Sequence, residues 1–515
     1  MTDWTAGYVA DIGYTYGYYT ELNPTRLALP LLNAGLAVPE IASACELGFG
    51  QGLSANLHAA ASQTSWYGTD FNPSQAAFAQ TLAAASGHGA QLSDASFAEF
   101  AAREDLPDFD FIGVHGIWSW ISDENRRVIV DFVRRRLKVG GVLYLSYNSL
   151  PGWAAFAPMR HLMTQHAETQ GTAGHGRVNR IDGAIAFAEQ LLATNPLYSR
   201  ANPQVSERLT KMKEHNRQYL AHEYFNSDWH PMHFATLAEW LQPAKLTYAG
   251  SAHLLDAIDA INLSTEQQQL LNALPDPLFR QSVRDFMVNQ QFRRDYWVKG
   301  ARRLNPLEQA EALRAQRVIL TAPRPEIALK VTGSLGEASL SEAVYNPLLD
   351  QLADHKPRSL GQLESTLTGK GINFGQLLQA ILILTGAGHL APVCAQTQSD
   401  KQSAKAKQTS DRLNAHLLQQ ARGSADVQYL SSPVTGGGIQ VNRFQQLFLL
   451  AQSQGHKQPA EWASQTWQLL QRQGQRLIKE GQPIESAEEN LAELTQQAET
   501  FAQQRLPILK ALQVV

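Results

Sequence analysis

The stretch Glu46-Leu47-Gly48-Phe49-Gly50-Gln51-Gly52 decides which fold the sequence predicts. A short apolar run over 43–48 predicts a strand before it, and a helical pattern over 52–62 follows it. Glycines at such a turn let the backbone bend sharply and approach a ligand that a Cβ atom would push away. The glycines are ordered G-x-G-x-G, with a carboxylate two positions before the first, whereas nicotinamide and flavin proteins use G-x-G-x-x-G. The stretch therefore predicts a ligand-binding turn of an α/β fold, and the carboxylate argues against a pyrophosphate ligand.

Short apolar runs and helical patterns alternate from about 40 to 150, which is typical of a parallel α/β sheet. Strands are predicted at 43–48, 65–69, 90–93, 109–114 and 142–147, and helices at 52–62, 73–86 and 123–137. Two later runs, 246–249 and 295–299, predict a sixth and a seventh strand. The residues from about 155 to 230 are helical and polar, so we interpret them as an insertion before the chain returns to the sheet.

Polar residues follow successive predicted strands, where open α/β sheets bind ligands. Asp70 follows the second strand and suits ribose hydroxyls, Asp94 follows the third and suits an adenine amino group, and His115 follows the fourth. Together with Glu46, whose carboxylate suits an ammonium group, they predict S-adenosylmethionine as the cofactor. Each aspartate alone also fits a helix cap. The predicted cofactor-binding residues are Tyr14, Tyr18, Glu46, Gly48, Phe49, Gly50, Gly52, Asp70, Asn72, Asp94, Ala95, His115 and Gly116.

At these residues the sequence resembles class I methyltransferases. It is similar to the bacterial protein-lysine methyltransferases of the rickettsial type in four stretches: Asp11 to Pro24, Tyr147-Asn148-Ser149-Leu150-Pro151-Gly152-Trp153, His222-Glu223-Tyr224-Phe225-Asn226, and Tyr429 to Gly438. The resemblance implies a methyltransferase core, a regulatory region and a C-terminal winged helix. It also implies methyl transfer from S-adenosylmethionine to lysine side chains of a protein substrate, with surface or outer-membrane proteins as candidates, by a homodimer.

Methylation of a lysine requires a neutral, desolvated amine, although a lysine of pKa ~10.4 is mostly charged at neutral pH. Aromatic walls exclude water and favour the methylated cation through cation–π contact. Of the aromatic and amide side chains that follow the fourth and fifth strands, the predicted catalytic residues are Trp118, Tyr147, Asn148 and Trp153. Tyr147 and Asn148 are predicted to orient the amine. For each aromatic residue the alternative stays open that it belongs to the ordinary core.

The fourth strand lacks the Asp/Asn-Pro-Pro-Tyr/Phe loop that usually follows it in enzymes methylating adenine or glutamine amides. The stretch His115-Gly116-Ile117-Trp118 stands in its place, which argues against an adenine methyltransferase. Two alternatives stay open: a methyltransferase of RNA or a small molecule, and a binding protein that senses S-adenosylmethionine without catalysis. No metal site is predicted, because Pro231 interrupts the spacing between His230 and His233.

Length and composition bound the remaining organisation. The 515 residues, 44% hydrophobic and 17% charged, exclude a mainly disordered chain, and the net charge of −4 gives no strong nucleic-acid signal. Cys45 and Cys394 make no disulfide or metal pattern, and neither a signal peptide nor a membrane-spanning run is found, so we expect a cytoplasmic protein. The predicted fold is α/β, with a Rossmann-like core over 1–155 and a helical insertion or regulatory region over 156–304 that returns to the core sheet. A linker and a winged-helix-like domain are predicted over 305–395, a polar linker over 396–410 and a helical domain over 411–515.

Overall fold

A seven-stranded sheet organises the first 300 residues of the computed structural model, which describes residues 15–169, 177–394 and 400–515. Its strands are β1 Ser43–Leu47, β2 Ser65–Thr69, β3 Gln91–Ser93, β4 Phe109–Val114, β5 Leu137–Asn148, β6 Leu246–Ser251 and β7 Phe292–Lys299. The order is β3-β2-β1-β4-β5-β7-β6; the first five strands are parallel, and β7 runs antiparallel to both β5 and β6. The predicted α/β fold is confirmed, and β5 begins five residues earlier than predicted, directly after a helix.

Alternation along the strands gives the sheet two buried faces. Cys45, Ile112 and Leu143 pack on one face beneath the helices Phe97–Ala101, Asp123–Arg136 and Phe234–Leu241. Ala44, Phe111 and Val142 pack on the other face beneath the helices Ala28–Asn33, Leu53–Ala61 and Pro73–Ser86. Every residue of helix Leu53–Ala61 is buried, because its outer side is also covered by the C-terminal part of the chain. Because helices cover both faces of the sheet, the carboxyl ends of the strands form its open edge.

The chain leaves the sheet after β5 and forms a helical insertion with its own core. Its helices are Ala157–Thr169, Arg177–Ala193, Leu197–Ala201, Gln204–Glu214 and Arg217–Tyr224. Met159, Met163, Leu209 and Leu220 lie in that core and are almost fully buried. The chain then returns to the sheet through β6 and β7, and the helices of this returning part are Phe234–Leu241, Asp259–Asn262, Thr265–Ala273 and Pro277–Val288.

A small three-stranded antiparallel sheet follows, with Arg317–Leu320 between Arg358–Ser359 and Leu390–Pro392. The helices around it are Pro306–Ala315, Glu342–Leu352, Leu360–Leu367 and Phe374–Gly386, and a hairpin joins Lys330–Gly333 to Gly336–Ser339. Leucine and isoleucine side chains of these helices form its core. The helix, helix, strand order that ends at Leu390–Pro392 agrees with the elements expected there, and the assignment as a winged helix stays a prediction.

The predicted polar linker over 396–410 is largely a helix. Residues 395–399 lie outside the described residues, but Asp400–Gln420 is a continuous helix. Thr409 and Ser410 are buried against helix Leu53–Ala61, and the Thr409 hydroxyl donates to the Ala60 carbonyl. Short polar side chains let the two helices approach closely. Because these side chains are polar, the sequence pattern does not predict that this face of the helix is buried. The remaining elements are strands Tyr429–Ser432, Gly437–Gln440, Ile478–Lys479 and Gln482–Pro483, and helices Arg443–Ser453, Pro459–Arg472, Ala487–Thr500 and Leu506–Ala511.

Across the described part of the chain, none of the helices combines the length and the apolar character that crossing a bilayer requires.

Candidate active site

The glycine turn after β1 has a backbone that only glycine adopts without strain. Gly48, Gly50 and Gly52 have φ values of +73°, +57° and +66°. A Cβ atom at Gly52 would lie 2.5 Å from the Cβ of Ala79, and one at Gly48 would lie 2.8 Å from Cγ2 of Ile117. Space and conformation therefore both require glycine here.

Asp70, at the end of β2, fixes this turn. Its carboxylate accepts hydrogen bonds from the Gly50 N–H (2.8 Å) and from the Asn72 N–H (3.1 Å). Burial raises the pKa of Asp70 to about 6, and these two bonds counteract the rise by favouring the charged form. The carboxylate thus joins the first and second strands at the edge of the cleft.

Glu46 places a second carboxyl group at the bottom of the same turn. Its side chain is 2% exposed, and no hydrogen-bond partner for Oε2 exists among the described residues. Burial, followed by the charge of Asp70, raises the pKa of Glu46 to about 8. A buried carboxyl oxygen without a partner is costly unless a ligand supplies a donor. The donor that suits it best is a cation, such as the ammonium group predicted from the sequence.

His115, after β4, forms the opposite wall with the N-terminal arm, which we define as residues 15–27. The rings of His115 and Tyr19 are stacked with centroids 3.6 Å apart, and Nδ1 of His115 lies 2.8 Å from the Tyr144 hydroxyl. Burial lowers the pKa of His115 to about 4, so the imidazole is neutral at pH 7. The next residue, Gly116, donates its N–H to Oγ of Ser146 (2.8 Å).

These groups enclose a cleft with a cavity volume of about 190 Å³ at the carboxyl ends of the parallel strands. A group of three or more His, Cys, Asp and Glu side chains able to hold a metal ion is not found within the described residues. The fit of this cleft to a cationic ligand rests on Glu46, which offers a buried carboxyl oxygen without a hydrogen-bond partner among the described residues.

Two family models match parts of the chain, and one relative matches nearly all of it. Residues 44–141 match the family described as a methyltransferase domain, and residues 216–299 match the predicted methyltransferase regulatory domain. The uncharacterised protein sll1526 of Synechocystis sp. (strain ATCC 27184 / PCC 6803 / Kazusa) is 42% identical over 514 residues, which cover 99% of each protein. The chain belongs to the class I S-adenosylmethionine-dependent methyltransferases. Its cofactor is accordingly S-adenosylmethionine.

Two rickettsial proteins are also similar to this methyltransferase. The uncharacterised protein RP789 of Rickettsia prowazekii (strain Madrid E) is 24% identical over 291 residues, which are 55% of this chain and 51% of that protein. The structure of PKMT2 from Rickettsia typhi in complex with AdoHcy has a TM-score of 0.70 at 18% identity and covers 98% of this chain and 100% of that one. The fold is therefore shared along the whole length.

Most of the predicted cofactor residues meet in the cleft of the methyltransferase. Those that line it are Glu46, Gly48, Phe49, Gly50, Asp70, His115 and Gly116. Gly52 and Asn72 lie behind the wall. Gly52 precedes helix Leu53–Ala61, and the Asn72 side chain caps the next helix by accepting from the Ser74 N–H (3.0 Å).

The residues predicted after β3 are displaced from the cleft. Asp94 is exposed and does not line it, and the Ala95 carbonyl accepts from the Thr69 hydroxyl. Phe71 and Phe97 form the wall on this side. Neither phenylalanine was predicted, because an aromatic side chain at a strand end is also typical of the ordinary core, although Phe71 directly follows Asp70.

Tyr18, predicted as a cofactor residue, does not line the cleft. Its side chain points to Nε2 of His58, 3.2 Å from the hydroxyl, and packs on Tyr429 from the C-terminal part of the chain. The adjacent Tyr19 lines the cleft in its place. Tyr14 lies outside the described residues.

Three of the four predicted catalytic residues are packed away from the cleft. Tyr147 is fully buried, and its hydroxyl donates to Oδ2 of Asp295 (3.5 Å). The Trp118 indole donates to Sδ of Met232 (3.3 Å) in the core beneath the sheet. The Trp153 indole donates to the Gln291 carbonyl (2.8 Å) in the core of the insertion.

Alternation explains the position of Tyr147. It lies on the same face of β5 as Leu143 and Leu145, and all three pack in one core. Asn148 ends the strand, and its N–H donates to Oγ of Ser119 (2.8 Å), so it stays at the open edge of the sheet.

Proposed function

We propose that this methyltransferase methylates lysine side chains of a protein substrate. The observation that carries the proposal is the composition of the cleft wall opposite the glycine turn. Tyr19 and Trp120 contribute aromatic rings there, and Asp228 contributes a carboxylate from the regulatory domain. Aromatic rings with a carboxylate suit a cationic alkylammonium group, both before and after methylation. Full-length similarity to PKMT2, a rickettsial protein-lysine methyltransferase, supports the same choice.

Different residues of the chain would bind the cofactor and the acceptor. Glu46 would hold the ammonium of S-adenosylmethionine and Asp70 its ribose, while Phe71 and Phe97 offer aromatic faces to the adenine. The bound cofactor supplies an electrophilic methyl group on a sulfonium. The protein then needs only to desolvate the acceptor amine and align it, because such a transfer depends mainly on proximity and orientation.

An acceptor other than lysine is the second candidate, because an aromatic wall also suits nucleobases and small molecules. A single experiment separates these classes. Purified protein and methyl-labelled S-adenosylmethionine are incubated with an envelope-protein fraction, a cytosolic-protein fraction and total RNA, each in parallel. Asp70→Ala serves as the inactive variant, and Asp94→Ala, whose side chain is exposed outside the cleft, serves as the matched control.

We expect label in protein, recovered as methylated lysine after hydrolysis, with wild type and Asp94→Ala but not with Asp70→Ala. Label confined to RNA would refute lysine as the acceptor and leave the methyltransferase assignment intact. Cofactor binding without label in any fraction would instead favour a sensor of S-adenosylmethionine.

A further inference from the structure

The helix Arg217–Tyr224 of the insertion adjoins the acceptor side of the cleft. The indole N–H of Trp120, a residue of the cleft wall, donates to the Glu223 carbonyl (3.2 Å). Tyr219 and Glu223 are four residues apart on this helix and therefore share one of its faces. Tyr219 is 40% exposed and Glu223 is half-buried, so both are accessible from solvent. Tyr219 also lies within electrostatic range of Tyr19 of the N-terminal arm, which lines the cleft.

Glu223 faces a polar group at the end of the sheet. Nδ2 of Asn148 is buried without a hydrogen bond of regular geometry among the described residues. Its side chain interacts with the Glu223 carboxylate and favours the charged form of that group. A carboxylate and an amide therefore face each other at the carboxyl end of β5, next to Trp120.

The cations near Glu223 are engaged with aromatic rings. The guanidinium of Arg208 lies 3.6 Å from the centroid of the Trp153 ring, and that of Arg160 lies 5.0 Å from the ring of Trp229. The Arg160 guanidinium also donates to the Asn226 carbonyl, and that of Arg208 donates to Oε1 of Gln291 (3.2 Å). The carboxylate thus lacks a dedicated cationic partner, and the backbone of the same residue contacts Trp120 of the cleft wall.

The surroundings of Glu223 set its proton affinity. Burial is the largest cause and raises the pKa of Glu223 to about 7, while Asn148, Arg208 and Arg160 lower it by smaller amounts. The other titratable neighbours are Tyr219 and Tyr224 on its own helix, whose own pKa values are raised. A carboxyl group of this kind changes its protonation near neutral pH, as a general base requires.

We propose that Glu223 and Asn148 form the acceptor-amine site, in which Glu223 binds the ε-ammonium group of the substrate lysine and takes its proton. This assignment rests on the proposed function. The aromatic rings of Tyr19, Trp120 and Tyr219 flank the alkyl chain of the lysine. Asn148 holds the neutral amine that remains after proton transfer.

The reaction balances with these groups alone. One N–H bond of the ammonium breaks, its proton passes to a carboxylate oxygen of Glu223, and the electron pair stays on nitrogen. That pair forms the new bond to the methyl carbon, while the carbon–sulfur bond breaks and leaves its electrons on sulfur. The products are a methylated ammonium group, a neutral thioether and a protonated Glu223, which returns its proton to solvent.

The test compares Glu223→Gln with Glu207→Gln, which removes an exposed carboxylate that pairs with Lys211. We expect Glu223→Gln to lower kcat by about 10²–10⁴-fold, the usual contribution of a general base. Its affinity for S-adenosylmethionine should change by less than about twofold, because Glu223 does not belong to the cofactor wall. The acidic limb of the pH–rate profile near pH 7 should disappear in Glu223→Gln and persist in Glu207→Gln.

A second readout needs no turnover. In protein labelled with ¹³C at the glutamate carboxyl carbons, the resonance absent from Glu223→Gln should titrate near pH 7 and shift on addition of n-butylammonium. Equal concentrations of n-butanol should not change the chemical shift of this resonance. Glu223→Asp retains a carboxylate and should keep part of the activity together with the acidic limb, which covers the case that Glu223→Gln does not fold.

An unchanged pH–rate profile in folded Glu223→Gln, or equal losses in both glutamine variants, would overturn the proposal. A Glu223 resonance that does not shift on addition of n-butylammonium would also overturn it. If this resonance responds to butylammonium while wild type labels RNA alone, the amine site stands and the lysine function fails, so the two failures are distinguishable.

Discussion

Replacing Glu46 by glutamine should change how cofactor binding depends on pH. The substitution keeps the shape of a side chain that is 2% exposed and removes only its ability to ionise. In the free protein the pKa of Glu46 is raised to about 8, chiefly by burial. A cation binds the ionised form, so its binding expels a proton from Glu46 at any pH below 8. Affinity for S-adenosylmethionine should therefore fall as the pH decreases from 8.

The size of this effect follows from two titrations. A carboxyl group of pKa about 8 is roughly half ionised at pH 8 and roughly 1% ionised at pH 6, a difference of about 50-fold. The α-amino group of the ligand has a pKa of about 7.8, so a larger fraction of the ligand is cationic at pH 6 than at pH 8. This larger fraction raises the affinity by about 2.5-fold and offsets part of the decrease. Wild-type affinity should thus decrease about 20-fold from pH 8 to pH 6. Above pH 8 it should decrease again, because the ligand then loses its ammonium charge.

Isothermal titration calorimetry of wild type, Glu46→Gln and Asp94→Asn from pH 6 to pH 9 checks this reasoning. At pH 8 Glu46→Gln should bind about 10–150-fold more weakly, which corresponds to a lost charge-assisted hydrogen bond of about 1.5–3 kcal/mol. Its affinity should vary by less than about threefold between pH 6 and pH 8, since only the ligand amine and Asp70 still titrate. A Glu46→Gln variant with the wild-type pH dependence would refute the role of Glu46, whereas Asp94→Asn should match wild type throughout.

Three further predictions concern the turn, the adenine wall and the C-terminal core. Gly52→Ala should destabilise the protein by about 1–3 kcal/mol through the clash with Ala79, measured by urea unfolding. Gly89→Ala, at φ +85° with no atom within 4 Å, should cost less, and Ala79→Gly should partly rescue Gly52→Ala. Phe97→Ala should weaken binding of S-adenosylmethionine and adenosine alike by about 1–3 kcal/mol in calorimetry; an effect on one ligand only would contradict adenine contact. Leu417→Ala, in a fully buried position, should cost about 2–5 kcal/mol in urea while leaving cofactor affinity unchanged in the absence of denaturant.

The sheet could be predicted from the sequence because its strands have strong local signals. A strand of a parallel sheet is buried on both faces, so β1, β4 and β5 are nearly continuous apolar runs bounded by turns. The positions of Glu46 and Asp70 could be predicted for the same reason, since parallel strands end at one edge. The helix Asp400–Gln420 lacked such a signal because Thr409 and Ser410 are buried as short polar side chains.

The acceptor side of the site depends on tertiary contacts that no local pattern contains. Tyr18 and Tyr19 are adjacent in an arm without periodicity, so the sequence does not tell which of them faces the cleft. Trp153 follows β5 as a candidate wall residue, yet the insertion packs around it and uses it as core. Glu223 lies 75 positions beyond Asn148 in the sequence, and only the packing of the insertion on the sheet makes them neighbours.

The C-terminal half of the chain also helps to shape the cleft, because it holds the N-terminal arm in place. On its inner side Leu22 of the arm lies against the β4 residue Gly113, where a Cβ atom would come within 2.4 Å of Leu22 Cδ2. On its outer side the Asn23 amide donates to the Thr435 carbonyl (3.0 Å) in the turn between strands Tyr429–Ser432 and Gly437–Gln440. Tyr19, between these attachments, forms the wall against His115. A methyltransferase core separated from the C-terminal half would lose the outer attachment and, with it, the fixed position of Tyr19, so the cleft belongs to the whole chain rather than to its first 155 residues.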